Sequence, residues 1–153
     1  MKSFQPLFLL FLCAAMTAGC SSVMLKPADF SWPIEVVTKV DGKGVVQDTR
    51  YSFTMNVKEL LFDETQDSVN VTRHSLRVIR DMRGYYFITA DKFKNVYVFE
   101  QSDGALKLAN KIKVSEKGLD SPAFNQRAPY VQIISENEKS VMVSRDGVHQ
   151  GGK

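Results

Sequence analysis

The stretch Ser75-Leu-Arg-Val-Ile-Arg-Asp-Met-Arg-Gly-Tyr-Tyr-Phe-Ile-Thr-Ala90 decides the fold class. Residues 75–80 and 85–90 are two short runs of β-branched, aliphatic and aromatic side chains, each of ordinary strand length. Asp81-Met82-Arg83-Gly84 separates them with turn chemistry, since glycine accepts a positive φ without a Cβ penalty. Tyr85, Tyr86, Phe87 and Ile88 are apolar on both faces of their strand, as expected of a strand covered on each side.

The same period continues outward from this pair. Strands are predicted near 34–40, 45–57, 69–72, 96–101, 105–114, 130–135 and 140–144, broken by Gly, Asp and Asn; 41–44 reads as the turn after the first, and 45–57 as its return strand, with room for a break within it. In the second half of 45–57, Tyr51, Phe53, Met55 and Val57 alternate with Ser52, Thr54 and Asn56, the pattern of one buried and one wet face. Only 58–62 is able to make a helical turn, and 63–70 reads as a polar loop. The expectation is an all-β chain, a single antiparallel β-sandwich or small barrel-like meander of about eight or nine strands. A propeller needs more strands than this length supplies.

The chain has 153 residues, a net charge of +3 and two cysteines, Cys13 and Cys20. Residues 1–6 carry one positive charge, Leu7 to Met16 form a ten-residue apolar run, and small residues follow, the layout of a secretory signal. As a helix the apolar run rises only about 15 Å, half of a membrane's hydrocarbon thickness. Thr17-Ala18-Gly19-Cys20 resembles the lipobox of bacterial lipoproteins. The resemblance covers the leader alone. It implies cleavage before Cys20 and attachment of diacylglycerol to its thiol; Ser21, with no Asp after the cysteine, implies sorting to the outer membrane with the domain facing the periplasm.

The organisation expected is therefore a signal peptide over 1–19, a lipidated tether over 20–33, a β domain over 34–146 and a flexible tail over 147–153. The residues from Ser21 to Pro33 reach at most about 45 Å when extended. Loss of the leader removes both Lys2 and Cys13, leaving a charge of +2 and no cysteine beyond the acylated one. Nucleic-acid binding is not expected from so small a charge, and stability must come from packing without disulfides.

The catalytic inventory is thin. His74 and His149 are the only histidines, and His74 beside Ser75 on a strand points to the opposite face. No metal, cofactor or catalytic residue is expected: the phosphate-loop, zinc-protease and EF-hand motifs are missing. Asp63, Glu64 and Asp67 read as solvated loop acids rather than a calcium site. Asn70-Val71-Thr72 fits a glycosylation pattern that an exported bacterial chain does not normally use. Arg73, Arg77, Arg80 and Arg83 read as edge-strand charges, with Arg77 and Arg80 on opposite faces.

Two surfaces stand out. One is the long loop 115–129, whose Leu119, Phe124, Asn125, Gln126 and Arg127 lie between Pro122, Pro129 and their neighbours as a candidate partner-binding segment. The other is the aromatic group Tyr85, Tyr86, Phe87 and Phe99, a candidate lining for an apolar ligand. Together these predict a non-enzymatic accessory of the envelope, held to the membrane by lipid, that binds an envelope protein or glycan. The alternative is a carrier of a lipid or other apolar small molecule.

Overall fold

The hairpin read from residues 75–90 forms the middle of the molecule. The computed structural model describes residues 32–48, 53–67, 69–103 and 105–149. The leader, Cys20, the tether as far as residue 31, Tyr51 and Ser52, and the last four residues of the tail lie outside the described residues.

Among the described residues the order is β1 (Trp32–Lys39), β2 (Val45–Asp48), β3 (Phe53–Asn56), α1 (Lys58–Thr65), a 3-10 turn (Val71–Arg73), β4 (Ser75–Arg80), β5 (Tyr86–Ala90), β6 (Asn95–Ser102), β7 (Ala105–Lys113), β8 (Ala123–Arg127), β9 (Tyr130–Ile134), β10 (Val141–Ser144) and β11 (Gly147–His149). Among the described residues the fold is all-β apart from α1 and the 3-10 turn. It builds a five-stranded sheet β1-β4-β5-β6-β7, a four-stranded sheet β11-β10-β9-β8 and the separate pair β2-β3. Every pairing is antiparallel, and no sheet closes on itself.

The five-stranded sheet buries both faces. On one, Leu76, Val78, Tyr86, Ile88 and Tyr97 meet Val46, Val57, Leu60 and Leu61 from the β2-β3 pair and α1. On the other, Ile79, Phe87, Val96, Val98 and Ile112 meet Phe124, Val131, Ile133 and Val143 from the second sheet. All five residues of β5 are buried, which explains the two-sided apolar run. The one polar member, Thr89, donates its hydroxyl to the Asn95 carbonyl at 3.1 Å and so avoids an unmet polar group.

Several expectations are corrected. There are eleven strands among the described residues, not eight or nine. The 45–57 segment does not return along β1; it folds on itself as β2-β3, while β1 pairs with β4. Residues 69–72 form no strand; they lead into the 3-10 turn at Val71–Arg73. The helix runs past residue 62 to Thr65, so Asp63 and Glu64 are helical, not loop residues. Residues 123–127 of the predicted loop form β8, and Gly147–His149 of the predicted tail form β11. Short strands of four or five residues carry too few alternations to separate from loops by period.

Gly118 shows how tightly the loop before β8 is held. Its φ is +96°, and a Cβ there would lie 2.6 Å from the Lys92 carbonyl oxygen. Backbone bonds tie the same place, from Leu119 N–H to the Phe93 carbonyl at 2.9 Å and from Lys92 N–H to the Leu119 carbonyl at 2.7 Å. Gly118→Ala is expected to destabilise by about 2 kcal/mol through the left-handed backbone and the backbone clash. Chemical denaturation measures it; an unchanged midpoint refutes the close approach.

Candidate functional site

The β2-β3 pair and α1 cover the five-stranded sheet from β1 to β6 but leave part of β7 bare. A groove of about 390 Å³ remains, lined by Met55, Leu60, Phe99, Leu106 and Leu108, with Asn56, Glu59, Asp63 and Tyr97 completing it. That volume is at the lower end of ordinary small-molecule sites, roughly 300–1,000 Å³. Alternation along β7 puts Leu106 and Leu108 on the groove side, and Leu108 is 49% exposed, an apolar side chain facing open space at the edge of a sheet.

One end of the groove is polar because two carboxylates of α1 dock on the sheet. The Tyr97 hydroxyl lies 2.5 Å from Asp63 Oδ2 and 2.8 Å from Glu64 Oε1. Lys111 Nζ donates to Asp63 Oδ2 at 2.5 Å. Glu64 also accepts from Lys94 N–H at 2.7 Å and from Asn95 Nδ2 at 2.6 Å. The Lys111 ammonium, then the Tyr97 hydroxyl, holds the Asp63 carboxyl below its ordinary value of 3.8. Burial, then the two carboxylates, pushes the Tyr97 phenol well above its ordinary 10.0. This network fastens the helix and keeps negative charge at one end of an otherwise apolar groove.

Asp67, the third acid of the sequence cluster, stands apart and caps a turn. Its side chain accepts from Asn70 Nδ2 at 2.7 Å and from Val69 N–H at 2.8 Å, and the Asn70 amide first, then these backbone donors, lowers its pKa to about 2. No group of three metal-ligating side chains occurs among the described residues.

Of the predicted apolar lining, only Phe99 reaches the groove. Tyr86 belongs to the core under α1, Phe87 to the core under the second sheet, and the Tyr85 ring lies under Arg145 at 5.2 Å. Of the predicted loop, Leu119 and Phe124 are buried core residues, 2% and 6% exposed. They support the fold and are closed to a partner. Gln126 turns inward with both amide atoms unbonded, whereas Asn125 and Arg127 bond Gln132 across β8-β9, and Arg127 is exposed.

A second cleft of about 390 Å³ is lined by Arg73, His74, Arg77 and Lys92 with Asp91 and Pro122. Its charges largely cancel: Arg77 pairs with Glu35 at 2.7 Å, and Lys92 pairs with Asp120. Glu35 also accepts the Phe124 N–H at 2.9 Å, tying β1 to β8. β4 lies inside the sheet between β1 and β5, so Arg77 and Arg80 are not the edge-strand charges expected; they do divide by face, with Arg80 set over the Tyr86 ring at 5.5 Å.

The pair that sequence reasoning missed is Ser144 and His149, whose Oγ and Nε2 lie 2.7 Å apart across β10-β11. Tyr130 stacks on the imidazole with centroids 4.4 Å apart. Among the described residues no carboxylate bonds the ring to complete a triad, and Ser144 is buried. The signal was Ser144 and His149 flanking the Gly147 turn. His74 lines the second cleft with Ser75 without a hydrogen bond between them.

No protein-family model, curated protein or solved structure matches the chain.

Proposed function

We propose that this chain is a lipid-anchored, non-enzymatic binding module of the bacterial envelope, sorted to the outer membrane with its domain facing the periplasm, and that its ligand is apolar. The observation that carries the reading is the groove between α1 and β7, where Leu108 is half exposed and Phe99 and Leu106, partly buried against the core under α1, form an apolar floor. The lipobox supports the anchor. A non-enzymatic role is supported by the engagement of the groove's Asp63 in the helix-docking network. A protein or glycan partner would have Asn125 and Arg127 of the edge strand β8 to hold, but not Leu119 or Phe124, which the core takes.

Cys20→Ser is expected to move the protein from the membrane fraction to the soluble fraction, because two or more acyl chains hold a protein stably and none leaves only weak contacts. Fractionation of cells carrying each form measures this. Retention of Cys20→Ser on the membrane would refute the anchor.

A further inference from the structure

We infer that the groove beside β7 takes an acyl chain of a membrane lipid, entering from the leaflet to which the domain is tethered; this deepens the anchored-module reading and rests on it. The sheet register supplies the direction. Trp32 pairs with Arg80, Arg80 with Tyr86, Tyr86 with Phe99, and Phe99 with Leu108. One row across the sheet therefore joins the residue where the chain enters the domain to the apolar floor of the groove. Leu106, opposite Gln101, lies two residues beyond that row, and Tyr97, opposite Lys111, two residues inside it. The apolar end of the groove faces the end of the domain where β1 begins, and the Asp63–Lys111 end faces away.

Eleven residues separate Cys20 from Trp32, a reach of about 40 Å at most, so this end stays near the leaflet. Along β6, from Gln101 opposite Leu106 to Tyr97 opposite Lys111, this stretch spans roughly 13 Å of strand. Met55, Leu60, Phe99, Leu106 and Leu108 suit a methylene chain. Glu59, for which no partner occurs among the described residues, repels a phosphate, and the one ammonium at the far end, Lys111, is already taken by Asp63. The headgroup therefore stays at the mouth and the chain alone enters.

The test reconstitutes the full-length processed protein into phosphatidylethanolamine and phosphatidylglycerol vesicles containing a phosphatidylethanolamine with a diazirine at its acyl terminus. After irradiation, adducts are mapped by mass spectrometry. The expected result is label on Met55, Phe99, Leu106 or Leu108. Leu108→Glu, at a half-exposed position, is expected to cut that label about tenfold with melting unchanged. Label confined to residues 20–31, equal label in the variant, or crosslinking of the groove to a copurified protein in place of lipid overturns the inference. The intact mass separates the two readings. A chain lipidated at Cys20 without groove label loses the groove inference alone, an unlipidated chain with groove label loses the anchor and with it entry from a tethered leaflet, and one with neither loses the acyl-chain site as well.

Discussion

Phe87→Ala is expected to destabilise the protein by about 3–5 kcal/mol, the range for emptying an aromatic site in a packed core. Phe87 is fully buried in the central strand, among Ile79, Val98, Phe124 and Val131. These four neighbours come from four different strands of two sheets, so the cavity cannot close by a small shift of one side chain. In urea, where small proteins lose roughly 1–3 kcal/mol per molar denaturant, the midpoint falls by one molar or more. Leu108→Ala serves as the opposite case: a half-exposed side chain on the groove wall is expected to change stability by less than about 1 kcal/mol while weakening capture of an apolar probe. If instead Phe87→Ala leaves the midpoint in place and abolishes capture, Phe87 faces a ligand and the packing described for β5 is wrong.

Glu64→Ala is the second large effect, with an expected loss of about 2–4 kcal/mol, because it strips the Lys94 N–H and the Asn95 amide of their acceptor, leaves the Tyr97 hydroxyl to Asp63 alone and releases the end of α1. Tyr97, Lys94 and Asn95 all bond this carboxylate. Glu59→Ala, one turn earlier and exposed, is the control and is expected to be nearly silent. Amide hydrogen exchange along α1 should rise in the first variant and not in the second; equal behaviour of the two would remove the latch.

The same network sets two limits in pH. Asp63 is lowered in the folded state, so its contribution is present above its ordinary 3.8 and is lost as pH falls through the lower folded value. Tyr97 is raised, so stability is full below its ordinary 10.0 and declines as pH climbs beyond it, where the unfolded chain ionises first.

The central hairpin was legible from its residues. Six-residue runs of strand-favouring residues, Val78 and Ile79 before Asp81-Met82-Arg83-Gly84 and Tyr85 to Thr89 after it, specify strand, turn and strand locally, and the two-faced apolar pattern of Tyr86 to Ile88 announced a covered strand. Asp81 completes the turn by accepting the Arg83 and Tyr85 N–H groups, each at 2.9 Å, and it does so through sequence neighbours alone. The fate of the 45–57 segment was not legible, since the choice between pairing with β1 and pairing with itself rests on whether β4 occupies the edge of β1, a contact about forty residues away.

The candidate site divides in the same way. By itself the sequence determined the all-β class and the turn at Gly84, and it alone carries the stretch ending at Cys20 that resembles a lipobox, because each depends on side chains within a few positions of one another. Tertiary structure alone decided that Phe87, Leu119 and Phe124 belong to cores while Phe99 and Leu108 line a groove. An apolar residue has the same hydrophobicity in either place, and whether it is covered depends on where distant strands and α1 come to rest.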